Sequence, residues 1–274
     1  MNWPISWRKS TCIMGVLNIT PDSFSDGGLF NDPIKAIERA TELVSQGADV
    51  LDIGAQSTRP GSIEVGANIE LSRLIPVLIP IRDKYPNLII SIDTFLSKVA
   101  DKALEIGANW INDISGGRHD PEILNVVSKY QCPYVLTHSR GNSQTMNNLT
   151  DYNDLINDIY SELENLTYIA IEKGITKENI IWDPGLGFSK TTDQNIQIIR
   201  SLKKFSKSGY PLLIGPSKKR FVGEVTGELQ PINRTFGTLA VICKCVQDNI
   251  EIVRVHDVKS TKKTILMASQ IWTK

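Results

Sequence analysis

The chain has 274 residues, 41% hydrophobic and 22% charged, and its 30 lysines and arginines balance 30 aspartates and glutamates. That length suits one barrel or two small domains, and the composition excludes a disordered or fibrous chain. With no net charge there is no overall field toward nucleic acid or an anionic membrane, so any bound anion must be held by a local cluster.

Short β-branched runs alternate with helical patterns along the chain. The run Ile13–Asn18 is followed by Asp32-Pro33, which caps and opens a helix with Ile34, Ile37 and Val44 on its apolar stripe and Gly47 after it. A second strand, Val50–Gly54, precedes a helical segment from Asn68 to Tyr85; Pro76 and Pro80 within it predict a bend or break. Strands at Leu88–Asp93 and Trp110–Ile114 follow, and Asp120-Pro121 repeats the helix-start signal before Ile123, Leu124 and Val127. After the strand Tyr134–His138, the stretch Tyr152–Lys173 puts Leu155, Ile159, Leu163 and Leu166 on one face. Ile180–Asp183, Leu212–Gly215 and Ile252–His256 complete the strands.

These strands are near-continuous apolar runs, as expected of parallel strands covered on both faces. Eight β-then-α units predict an α/β fold, a (β/α)8 TIM barrel forming a single domain over residues 1–274. An open doubly wound sheet shows the same alternation, but no Gly-x-Gly-x-x-Gly follows the first strand. Cys12, Cys132, Cys243 and Cys245 form no CxxC pair and read as reduced thiols. With no apolar leader at the start and no run of about 18 apolar residues, the expectation is a cytoplasmic protein without a membrane partner.

Polar side chains fall at the strand ends: Asn18, Asp93, Asn112, His138, Asp183 and His256. In a barrel those ends share one face, where active sites are built. Capping of the following helices is the plainer explanation for any one of them, yet it does not account for the basic residues that join the set. Those are Arg59, in the turn-rich Ser57-Thr58-Arg59-Pro60-Gly61, the run Lys218-Lys219-Arg220, and Arg254, which projects to the same side as His256. Arg59, Arg254 and His256 suit a phosphate or diphosphate cradle; the alternative for Arg254 is an internal salt bridge to Asp52, Asp93 or Asp257. Asp93, Asn112, Asp183 and one lysine of the 218–220 run offer acceptors and a donor for a flat heterocycle with an amidine-like edge.

Several ordered segments resemble the dihydropteroate synthase family: Met14 to Gly28, Asp52 to Gly61, Ser91-Ile-Asp-Thr94, Asp183-Pro-Gly-Leu-Gly-Phe188 and Arg254-Val-His-Asp-Val258, with Ile111–Ile114 and Gly215–Arg220 beside them. The resemblance implies condensation of (7,8-dihydropterin-6-yl)methyl diphosphate with 4-aminobenzoate to 7,8-dihydropteroate and diphosphate, in folate biosynthesis. It implies Asn18 as a ligand of Mg2+, the expected cofactor. It implies Thr58, Asp93, Asn112, Asp183, Lys219, Arg254 and His256 as contacts of the pterin diphosphate. Phe24, Arg59, Pro60, Phe188, Lys219 and Arg220 would enclose 4-aminobenzoate, with Arg59, Lys219, Arg254 and His256 as the catalytic set. Gln56 and Arg220 depart from residues common in the family.

The family resemblance also implies a homodimer through late helices and a pocket that a sulfonamide would enter. Two rival readings are a pterin-dependent corrinoid methyltransferase and a catalytically silent pterin-binding paralogue. The first would have no use for Ser57–Pro60 or the Arg254/His256 pair, and the second is disfavoured because every expected site residue is present. An arylamine is neutral near pH 7, so the chemistry needs stabilisation of departing diphosphate rather than a strong base. Closure of the loops Ile19–Phe30 and Ala55–Gly66 would exclude water from a cationic methylene.

Overall fold

The computed structural model describes residues 3–20, 33–57 and 61–272. Its strands are β1 (Cys12–Asn18), β2 (Val50–Gly54), β3 (Ile89–Asp93), β4 (Trp110–Asp113), β5 (Tyr134–Thr137), β6 (Ile180–Asp183), β7 (Leu213–Ile214) and β8 (Ile252–Val255). All pair in parallel, in the order β6-β5-β4-β3-β2-β1-β8-β7. A parallel bridge between Trp182 and Leu212 sets β6 against β7 and brings the sheet round into a barrel.

Around it run α1 (Pro33–Ser45), α2 (Ala67–Lys84), α3 (Ser97–Ile106), α4 (Glu122–Tyr130), α5 (Leu155–Glu172), α6 (Thr192–Arg200), α7 (Leu202–Phe205), α8 (Arg220–Thr226), α9 (Thr235–Gln247) and α10 (Val258–Trp272). Among the described residues no helix is long and apolar enough to cross a membrane. Of the two expectations for α2, the break does not occur, and the helix runs through Pro76 and Pro80. The two prolines are four apart and both exposed, so the carbonyls they leave unbonded lie on the solvent side, where water can satisfy them. Asp154 caps α5, accepting from the Asn157 amide at 3.2 Å, and Thr191 opens α6 with a reciprocal capping box to Gln194.

The period-two alternation of each strand divides the barrel into two environments. Leu51, Ile53, Ile90, Ile92, Ile111, Leu136, Trp182, Ile214 and Val253 are buried in the cluster shared with the surrounding helices. Each such burial contributes roughly 1.5–3 kcal/mol. The intervening residues Val50, Ile89, Trp110, Val135, Ile181, Leu213 and Ile252 form a second cluster in the lower barrel, with Trp3 and Trp7 packed against it. Trp3 lies edge-on to Trp110 at 5.2 Å.

Two residues further along the same strands the character changes to Asp52, Ser91, Asn112, Thr137, Asp183 and Arg254. The strand register aligns Asp52 with Ser91, and Thr137 with Asp183. An apolar floor under a polar layer is not what packing alone would choose. The upper layer is the site.

Candidate active site

Arg254 organises the polar layer. Its Nε donates to Asp52 Oδ2 at 2.6 Å, and its Nη2 donates to Asp93 Oδ2 at 2.6 Å. Asn112 Nδ2 donates to the same Asp52 oxygen at 3.1 Å. Burial works against the arginine's charge, but Asp52 and Asp93 outweigh it and hold its pKa above the ordinary value. Burial pushes Asp93 up to about 7; Arg254 opposes this, and the neighbouring Asp52 adds to it. The internal ion pair read as an alternative from the sequence is therefore real for Asp52 and Asp93, while Asp257 instead accepts from the Ser260 amide at the start of α10.

This pairing still leaves much of the layer unsatisfied. Among the described residues Asp52 Oδ1, Ser91 Oγ, Asp93 Oδ1 and Thr137 Oγ1 are buried without a hydrogen-bond partner. Each such orphan costs about 1–3 kcal/mol. Four of them in one layer of the barrel leave hydrogen-bonding capacity that a polar ligand can satisfy.

Asp183 and Lys219 form the opposite wall. Asp183 Oδ1 accepts from the Gly185 amide at 2.7 Å, anchoring the first turn of the loop that leads to Phe188. Burial raises the Asp183 pKa, with Lys219 opposing. Lys219 sits just before α8, donates from Nζ to the Leu186 carbonyl, and lies 4.4 Å from the Phe188 ring centroid in a cation–π contact. Its burial brings its pKa down to about 8, with Asp183 opposing the shift. Lys218 adopts φ +59°, an uncommon conformation for a lysine, in the turn that presents Lys219.

His256 lies just beyond β8. Its ring Nδ1 is 3.0 Å from Ser217 Oγ, which also accepts from the His256 amide at 3.1 Å. Asn18 ends β1, and its Oδ1 and Asp93 Oδ2 are both neighbours of the Gly54 α-carbon, 3.4 and 3.5 Å from where a β-carbon there would stand. Asp93, Asn112, Asp183, Lys219 and Arg254 thus meet in one throat, with Asn18 at its rim. Arg220 is different: it is largely exposed on α8 and pairs with Glu224 at 3.2 Å. The expectations for Phe24, Thr58, Arg59 and Pro60 lie outside the described residues, as do most of the first loop and the centre of the second.

A cavity of about 470 Å3 opens beside the throat between the loops following β2 to β6, lined by Gln56, Phe95, Arg118, His119, Arg140 and Phe188 among others. Reading the strand ends alone undervalues Asp52, which lies two residues before its strand's end and carries both Arg254 and Asn112. It also misses Lys190, His138 and Glu162 as a group, since their contacts join three separate elements. The available signals were His138 at the end of its strand and a lysine two residues beyond Phe188.

The profile of a family described as pterin binding enzyme matches residues 14–256. A dihydropteroate synthase of Synechocystis is 45% identical over 266 residues, covering 97% of this chain and 92% of its own length. A crystal structure of dihydropteroate synthase from Clostridium difficile in the presence of pteroic acid has a TM-score of 0.92 at 38% identity, covering 98% of this chain and 100% of that one. Dihydropteroate synthase from Xanthomonas albilineans with 4-aminobenzoic acid has a TM-score of 0.91 at 35% identity, covering 97% and 95% of the two chains.

Proposed function

This chain belongs to the pterin-binding enzyme family, and on that premise we propose that it catalyses the dihydropteroate synthase reaction. It is a transferase of folate biosynthesis that joins (7,8-dihydropterin-6-yl)methyl diphosphate to 4-aminobenzoate and releases diphosphate. The observation that carries this reading is the set of unpartnered oxygens facing inward beside Arg254, with Asp183 and Lys219 across from them. A pterin ring presents N–H and NH2 donors along one edge and a carbonyl oxygen nearby. In this reading Asp183, Asp93 and Asn112 bind the former and Lys219 donates to the latter.

The chain's own residues then have distinct tasks. Asp183 and Lys219 orient the ring so that its exocyclic methylene faces the mouth. Arg254 lies against the ring and, with His256, Thr58 and Arg59, stabilises charge on the departing diphosphate. Phe188, Phe24, Pro60, Arg59 and Lys219 enclose the aminobenzoate and keep water from the reacting carbon, while Arg220, exposed and paired with Glu224, stays outside that enclosure. The arylamine nitrogen attacks with its own lone pair, so no side chain need act as a strong base.

The donor set at Asn18 fits Mg2+, because a single amide oxygen at the rim can share the ion with diphosphate oxygens and water, as this hard cation prefers. When bound there, Mg2+ would neutralise charge on the leaving group. Val225, Leu229, Ile232, Phe236, Leu266, Met267 and Ile271 are exposed on and around α8, α9 and α10, which supports a homodimer through these late helices. Four free thiols favour the cytoplasm. The test is a coupled assay for diphosphate release. Release should require both the pterin diphosphate and 4-aminobenzoate; release at the same rate without the arylamine would contradict the reading.

A further inference from the structure

We infer that Lys190 is a positioning residue for the pterin end of this site, fixing from behind the loop that follows Asp183 and carries Phe188, with His138 and Glu162 holding it in turn. The inference rests on reading Asp183 and Lys219 as pterin contacts.

Lys190 is only 5% exposed, yet it makes no ion pair among the described residues. Its Nζ donates to the carbonyls of Gly185 at 3.0 Å and Phe188 at 2.9 Å, and meets His138 Nδ1 at 3.0 Å. An ammonium has three N–H bonds and no lone pair, so these contacts use all of them and make Nδ1 an acceptor. The proton of the neutral imidazole then sits on Nε2, which donates to Glu162 Oε2 at 3.0 Å. Glu162 Oε1 accepts from Arg140, whose guanidinium lies 3.9 Å from the Tyr152 ring centroid. Tyr152 donates its hydroxyl to Ser189 O at 3.1 Å, returning the circuit to the residue beside Lys190.

Leu186 O, one of the two carbonyls between those that Lys190 holds, is the acceptor for Lys219. The two lysines thus grip one short loop, Lys219 from the throat and Lys190 from the outer side. The loop also runs as close to the end of β5 as backbone permits: a β-carbon at Gly185, φ +72°, would stand 1.9 Å from His138 O. Burial pulls the Lys190 pKa down to about 7, with Asp183 opposing. A methionine would fill the same space without that penalty, so filling space does not explain the cation.

The test titrates free pterin, lacking diphosphate, and inorganic diphosphate with Mg2+ separately into wild type, Lys190→Met and Glu162→Gln by calorimetry. Lys190→Met should lose about tenfold or more in pterin affinity, the scale of one or more buried hydrogen bonds lost. Its diphosphate affinity should change by less than about twofold, since His256 and Asn18 are untouched. Glu162→Gln, at a partly exposed helix position that tolerates the change, should show the same selective loss at about threefold, and decides alone if Lys190→Met does not fold. Wild-type pterin affinity in the variants, or equal loss of both ligands, overturns the inference. A wild type that binds no pterin overturns the reading of the site itself.

Discussion

Arg254 Nη2 and Asp93 Oδ2 face each other across the barrel throat at 2.6 Å, while the same guanidinium donates from Nε to Asp52. One cation therefore holds two acids that would otherwise repel. Arg254→Met should destabilise the folded protein by about 3 kcal/mol, because it strands two buried carboxylates. The loss should shrink as the pH is lowered and those carboxylates take protons. Urea denaturation of both proteins at neutral and mildly acidic pH checks this; a pH-independent difference would contradict it.

The same layer sets a pH window for ligand binding. Asp93 titrates at about 7, where burial has raised it, and Lys219 at about 8, where burial has lowered it. Below the first value the pterin loses an anionic acceptor, and above the second it loses a cationic donor. Pterin affinity should therefore peak between the two and fall on both sides, as read by isothermal titration at a series of pH values. A flat profile would show that neither group titrates in the free site.

Acid sensitivity should come from behind the site. His138 has its pKa lowered from 6.5 to about 3, by burial first and then by the Lys190 charge. A depressed folded-state value means that its contribution to stability is complete above about 6.5 and is lost as the pH falls toward 3. Burial alone would raise Glu162, but hydrogen bonds from His138 and Arg140 prevail and hold it at about 2, from 4.5, adding a second loss in the lower part of that window. Denaturation midpoints should fall with acidification in wild type, and less steeply in His138→Gln. Parallel slopes would assign the acid sensitivity to other groups.

Gly185→Ala is expected to be far worse than an ordinary loop substitution. The β-carbon meets the His138 carbonyl, and the position has φ +72°, so the loop must move away from β5. Pterin binding should fall by at least about tenfold with the fold retained, since only the loop and not the core is disturbed. Circular dichroism beside the binding titration separates the two effects; unchanged pterin binding would mean that the loop sets neither Asp183 nor Lys219.

The eight strands were legible because each is a short apolar run, and their ends fell within a residue or two of those observed. Asp183 and Asp93 could be picked out because a carboxylate closing a buried strand has no packing rationale. The double pairing of Arg254 was only one of two readings, since its partners lie about 160 and 200 positions away in sequence and no local pattern links them. Lys190 was hidden for the same reason: its value lies in three acceptors from two loops. The unbroken α2 shows the converse, where a local rule on proline gave way to solvent exposure.

The most direct measurement is the affinity of free pterin for wild type, Asp183→Ala and Lys219→Ala. Wild type should bind, and each variant should lose binding beyond detection, because each removes one side of the ring's hydrogen-bonding edge from a buried site. If both variants bound pterin as wild type does, the throat would not be where the ring is read.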